Sequence, residues 1–333
     1  MTNTHPTTQP TTTFQTPGAA HERPRVRIWA VDARNHFYRL VAQRHDKVLL
    51  EGASARQIGI HAALEAATRF VGEVPDALPI YILDGPAPAA KKAALQARRE
   101  TREAAKEHAT RLAQEARELA STIRPGEPAE AAKRAQVATL DHEARKSARR
   151  AVHLTADDHE AIARALQEAG FPVCHAPGEA ETQAAIWCRN GHAWTAATRD
   201  MDTVLHGAQR VSRHWPQSNG WQALRGTEAQ PGFLEVTGAR DATELMEAYV
   251  VAGMTDYADP LLPGGARGEG LPRALEALRK EGFEQLVREH APNPEPWFAA
   301  RRIYQEPVAD ADLSRVEWGF PSLLSPTSSG AMA

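Results

Sequence analysis

Four short apolar runs in this chain each stop on a carboxylate. Residues 26–31 lead into Asp32, residues 79–83 into Asp84, residues 171–174 into Glu179 and Glu181, and residues 193–197 into Asp200 and Asp202. Segments with helical spacing separate them: 35–45, with Phe37, Leu40 and Val41 on one face, 55–70, and a stretch capped at Thr155 to Asp158 that runs to Ala169 before Gly170. Strands alternating with helices give an α/β fold with a mainly parallel central sheet flanked by helices. Ligands of such sheets bind beyond the carboxyl ends of the strands. One aspartate at a strand end is usually a turn former or a helix cap. Four in succession gather acidic groups at one edge of one sheet.

Glu179-Ala180-Glu181 and Asp200-Met201-Asp202 alone place four carboxylates there. Such a group repels itself unless cations sit within it, and carboxylates suit hard, oxygen-preferring ions such as Mg²⁺ or Mn²⁺. A pair of these ions is suited to displacement at phosphorus. The 14 histidines, His175, His206 and His214 included, are not needed as bases and read as surface or core residues.

At 333 residues the chain can bury a large core, as one large domain or two. Cys174 and Cys188 are too few for a disulfide framework and lack zinc spacing; they read as buried thiols of a reducing compartment. No apolar run is long enough to span a membrane, and residues 1–23, rich in Thr and Pro, read as a disordered leader rather than a secretory signal. The net charge is −3, but residues 91–150 hold 15 Lys and Arg against 9 Asp and Glu. That segment reads as two helices, 91–120 and 129–152, broken at Arg124-Pro125-Gly126, rich in Ala and projecting from the core. A basic insertion in an acidic body fits a nucleic-acid enzyme, although a solvated helix of mixed charge has the same composition. Further on, 210–215 and 233–236 read as short strands and 241–251 as a helix, followed by a Gly-rich loop, 263–270, and a helix, 271–280. The loop has neither the Gly-Lys-Ser/Thr ending of a P-loop nor the preceding strand of a dinucleotide fingerprint.

Val31-Asp32-Ala33, Leu83-Asp84-Gly85, Ala176-Pro177-Gly178-Glu179-Ala180-Glu181, Arg199-Asp200-Met201-Asp202 and Gly253-Met254-Thr255-Asp256-Tyr257 occur in the order found in structure-specific 5′ nucleases. The chain resembles that superfamily (flap endonucleases, XPG-type and exonuclease-1-like enzymes) from about Arg25 to about Leu286. The resemblance implies a PIN-like 5′-nuclease fold with a helical arch insertion and a helix-loop-helix duplex-binding segment. It divides the chain into the leader, a catalytic domain at 24–300 with the gateway at 91–150 and the duplex-binding segment at 241–290, and a tail at 301–333.

It also implies metal ligation by Asp32, Asp84, Glu179, Glu181, Asp200, Asp202 and Asp256. Lys91 and Arg98 are then the groups that reach the scissile phosphate, Tyr38 stacks on a base, and Gly268, Gly270 and Arg273 contact the duplex. Two Mg²⁺ ions are expected, with Mn²⁺ as a substitute. Pro260 stands near where the family often helps to hold a K⁺ ion, which sets that ion in question. The expected partner is DNA with a 5′ flap, nick or free 5′ end, met by a monomer with no sliding-clamp motif in 310–333. The location implied is the cytoplasm of a prokaryote or phage host, or a eukaryotic nucleus. The family's Met-Gly start is replaced here by the unrelated leader. Rival readings are a PIN-like or related RNase, a non-catalytic binder of DNA junctions, and a cofactor-binding α/β enzyme; the last lacks any glycine fingerprint.

Overall fold

The computed structural model describes residues 26–44, 53–74, 76–213, 229–262 and 269–318. Strand β1 (Arg27–Asp32) runs into helix α1 (Ala33–Ala42), and α2 (Ala55–Glu73) leads back to β2 (Ala77–Leu83). A 3₁₀ turn (Ala89–Lys91) opens α3 (Lys92–Ser121), followed by α4 (Glu130–Ala151), α5 (Ala156–Glu168) and β3 (Val173–His175). Then come α6 (Ala180–Arg189), β4 (Thr195–Ala197), the short α7 (Asp202–Leu205) and β5 (Val211–Ser212). The chain continues through α8 (Ala229–Thr237), α9 (Ala242–Val251), α10 (Gly270–Glu281), α11 (Phe283–His290) and α12 (Glu295–Gln305).

The five strands form one parallel sheet in the order β3-β2-β1-β4-β5. The chain moves from β1 out through β2 to β3, then crosses back to β4 and β5 on the other side. The crevice beyond β1 and β4 is therefore the topological switch point, where parallel sheets bind ligands. Register sets Asp32 opposite Ile82, Val31 opposite Ala197 and Leu83 opposite His175, so the acidic continuations leave the sheet along one edge.

Strands buried on both faces read as continuous apolar runs. Trp29, Val31, Tyr81 and Leu83 face a core shared with Phe37 and Val41 of α1, Phe70 of α2 and Ile162 and Leu166 of α5. Ala30, Ile80 and Ile82 face the opposite core with Ala180, Ala184 and Trp187 of α6. Small residues there let α6 lie close to the sheet, and it is buried without a break from Ala180 to Cys188. Its outer side is held by the chain after α12: Gln183 Nε2 donates to Asp310 O at 2.9 Å and Trp187 Nε1 to Asp312 O at 2.6 Å. Glu317 N–H donates to Val173 O at 3.1 Å and covers the β3 edge. The boundary expected at residue 300 thus falls inside α12, and residues 310–317 are docked on the sheet domain.

Helices α3 and α4 pack along each other through Leu112, Ala116, Ala144 and Ala148 and are otherwise largely exposed. At 1.5 Å per residue they extend about 45 and about 33 Å. Helices α9 to α12 enclose a third core around Leu245, Tyr249, Leu275, Leu278, Leu286 and Ala300.

The strand expected at 233–236 is instead the second half of α8. Pro231 in its first turn suits a helix start, and Phe233 packs on Tyr249, ring centroids 6.1 Å apart. The strand expected at 210–215 contracts to β5, with His214 and Trp215 outside the described residues. Helix α1 starts two residues earlier than its apolar spacing suggests, because Asp32 caps it. The leader and Gly268 also lie outside the described residues. No helix among those described is long and apolar enough to cross a membrane.

Candidate metal centre

Each acidic group is held by the end of an element. Asp32 closes β1 and caps α1: Oδ1 accepts from Asn35 N–H at 3.0 Å, and Oδ2 accepts from the Thr198 hydroxyl at 2.8 Å. Asp84 follows β2, with Oδ1 accepting from Ala180 N–H at 2.9 Å and Oδ2 3.1 Å from Arg34 Nη1. Glu179 is the N-cap of α6 and Glu181 lies in its first turn, where the helix terminus favours negative charge. Beyond β4, Thr198 Oγ1 accepts from Asp200 N–H at 3.1 Å, Asp200 Oδ1 accepts from Asp202 N–H at 3.1 Å, and the Tyr304 hydroxyl donates to Asp202 Oδ2 at 2.6 Å. Asp256 comes from the connection after α9, behind a turn at Gly253 with φ +62°. A Cβ at Gly253 would strike the Pro260 ring, so glycine is required twice over.

The cations come from the start of α3. Lys91 is 8% exposed; its ammonium hydrogen-bonds Glu179 and lies 3.6 Å from Glu181 and 3.5 Å from Asp256. Arg98, two turns further on, donates to both Asp256 oxygens at 2.6 and 2.7 Å. The Tyr257 hydroxyl donates to the second Glu179 oxygen. A cavity of about 530 Å³ opens above this edge. Its lining includes the acidic Asp32, Asp84, Glu181 and Asp200, the basic Arg98, Arg102 and Arg150, and His153 and Tyr38.

Lys91, Arg98 and Arg34 face seven carboxylates, and the imbalance is felt. Burial, then repulsion from Asp84, pushes the Asp32 carboxyl up to about 7. Burial and Asp200 push Asp202 up to about 7, and burial and Asp32 raise Glu181 well above the usual range. Burial alone would lower Lys91, but Glu181, Glu179 and Asp256 outweigh it and hold the ammonium charged. An oxygen-only donor set short of positive charge fits hard divalent cations. Three of the seven carboxylates, those of Glu179, Glu181 and Asp256, gather on Lys91, and the seven are not drawn to a point. Among the described residues, the one triad with ligand atoms within 4.8 Å of one another is Glu281, Glu289 and His290, on α10 and α11.

The structure thus brings together the seven acidic residues, Lys91 and Arg98, and sets Tyr38 beside them. Gly270 and Arg273 sit on α10, outside the cavity lining. His175 pairs with Glu160 at 3.1 Å and His206 is buried, in keeping with their reading as surface and core. Sequence reasoning missed Thr198, Tyr257 and Tyr304. Tyr257 lies within a motif already singled out and Thr198 directly precedes another; Tyr304 stands 102 residues from Asp202 and carries no local signal.

The XPG I-region family model matches residues 170–248, the stretch from β3 to α9. Flap endonuclease 1 of Pyrococcus furiosus is 33% identical over 210 residues, covering 60% of this chain and 53% of that protein. Flap endonuclease 1-A of Laccaria bicolor is 29% identical over 259 residues, covering 74% and 58%. The chain therefore spans little more than half the length of these relatives. Among solved structures, the catalytic core of Rad2 in complex with DNA substrate superposes with a TM-score of 0.54 at 18% identity, covering 89% of this chain and 84% of that one. Flap endonuclease-1 from Methanococcus jannaschii gives 0.50 at 22%, covering 84% and 78%. At these identities the structural likeness concerns the fold.

Proposed function

The chain belongs to the XPG/flap-endonuclease family of structure-specific 5′ nucleases, and from that membership we propose that it hydrolyses phosphodiester bonds of DNA near 5′ ends or single-strand/double-strand junctions with two divalent metal ions. One observation carries the reading: seven carboxylates from five chain segments meet at the switch point of the sheet, with Lys91 and Arg98 among them.

Two Mg²⁺ or Mn²⁺ ions, when bound at this edge, would supply an activated water and a counter-charge for the departing oxygen. Asp32, Asp84, Glu179 and Glu181 would hold or orient one ion, and Asp200, Asp202 and Asp256 the other. Lys91 and Arg98 exchange their carboxylate partners for the scissile phosphate and offset charge as it builds in the transition state. Tyr38, in the lining of the cavity, offers a ring for base stacking. The basic α3–α4 pair guides a free 5′ end, and Gly268, Gly270 and Arg273 grip the duplex backbone.

The test offers labelled 5′-flap DNA, nicked duplex, single-stranded DNA and RNA to the protein in Mg²⁺ or in chelator. We expect cleavage of the branched DNA in Mg²⁺ alone. Tight junction binding without cleavage in any divalent ion would favour a non-catalytic binder, and preferential cleavage of RNA a related RNase.

A further inference from the structure

Beside the acidic cavity lies a small recess whose lining includes Asn35, Arg39, Thr198, Arg199 and Arg213. We propose that Arg39, Arg199 and Arg213 form a second anion site, which takes a backbone phosphate of nucleic acid next to the metal centre. The proposal rests on the nuclease reading above and adds to it a contact that the carboxylates, Lys91 and Arg98 do not provide.

Three elements deliver the three guanidiniums. Arg39 lies in the last turn of α1, Arg199 in the β4–α7 connection, and Arg213 directly after β5. The adjacency of β1, β4 and β5 in the sheet brings them to one place. Among the described residues none of the three side chains makes an ion pair or a hydrogen bond, whereas Arg34 and Arg98 at the neighbouring cavity both bind carboxylates. Arg39 is half-buried, and both burial and the nearby Arg199 disfavour its charge. A guanidinium does not escape by losing its proton, so the repulsion stays as a cost to the folded chain until an anion relieves it.

The size of the recess, about 10 Å³, selects the kind of anion. That is room for about one oxygen-sized group, so a ligand rests on it through an oxygen and no base or sugar enters. A phosphodiester oxygen suits that seat, and forked guanidiniums suit phosphate. Asn35 lines both the recess and the acidic cavity, and Thr198, which holds Asp32, directly precedes Arg199. A strand lying over the carboxylates therefore meets the arginines at a neighbouring phosphate.

The test compares the full chain with Arg199→Gln, Arg39→Gln and the charge-retaining Arg199→Lys. Melting temperature is measured at low salt with and without inorganic phosphate. Affinity for fluorescein-labelled 5′-flap DNA is measured in Ca²⁺ across a salt series. Each Gln variant should melt higher than wild type without phosphate and gain less from its addition. Its log K against log salt slope should be shallower by about 1, the loss of one phosphate contact, and Arg199→Lys should restore most of it. Gln variants that melt lower without phosphate, or that keep the wild-type salt slope, would overturn the site. If wild type binds no flap DNA, the nuclease reading fails separately: a phosphate-induced stabilisation lost in Arg199→Gln would then support the anion site, and one retained would overturn it.

Discussion

A lysine ammonium among three carboxylates, as Lys91 is, can be stable in two settings: with the carboxylates as its partners, or with them holding metal ions and a phosphate taking their place. Removing it affects the second setting chiefly when charge builds on the phosphate. Lys91→Ala should therefore slow single-turnover cleavage by roughly 10²–10³-fold, with a much smaller loss in flap affinity; unchanged single-turnover rates would reduce Lys91 to a structural counter-charge. Six of the seven acidic residues were legible in the sequence because each follows a recognisable apolar run, and strand ends of a parallel sheet share an edge; Asp256, which follows helix α9, was legible through the resemblance alone. Lys91 and Arg98 were legible through family resemblance alone, since nothing in their spacing separates them from Lys92 and Arg99. Tyr304 was not legible: its hydroxyl reaches Asp202 only because α12 folds back from a distant part of the chain.

Among the elements, α9 matters because the connection that follows it delivers Asp256. Glu244 of α9 is 5% exposed; it accepts from Arg240 Nε at 2.9 Å and from Arg279 Nε at 3.0 Å, tying α9 to α10. The Arg279 hydrogen bond holds its carboxyl down at about 2. A carboxyl lowered in the folded state contributes stability above its ordinary value, near 4.5, and loses it as the pH falls toward 2. Glu244→Gln should thus cost about 2 kcal/mol at pH 7, measured by urea unfolding, and the cost should shrink across that acidic window. A neutral effect at pH 7 would mean that the arginines find other partners. The same region shows where sequence reading stops: residues 233–236 carry apolar spacing compatible with either period, and packing of Phe233 on Tyr249 decides for the helix. The long α3 and α4 were easy to foresee because their composition favours helix without help from a core.

At the scale of the molecule, burial disfavours the charged form of several histidines. Burial lowers His36 to about 3 and His206 to about 4, and burial with Arg34 lowers His159 to about 4. The unfolded chain takes up these protons near pH 6.5 and the folded chain does not, so each histidine subtracts stability as the pH falls below 6.5. The raised carboxyls of the metal-free centre act in the opposite sense, so the effect is read as a difference: from pH 7 to pH 5, His36→Phe should gain about 1–2 kcal/mol on wild type. A constant difference would show that His36 is protonated in the folded state. The central claim is that the carboxylate edge is a two-metal nuclease centre. Its most direct test is single-turnover cleavage of a 5′-labelled flap substrate as Mg²⁺ is titrated, in wild type and in Asp200→Asn. The account predicts Mg²⁺-dependent cleavage that chelator abolishes, and a rate at least ~10³-fold lower in the variant, which still binds the substrate. Near-wild-type cleavage by Asp200→Asn, or cleavage that persists in chelator, would contradict it.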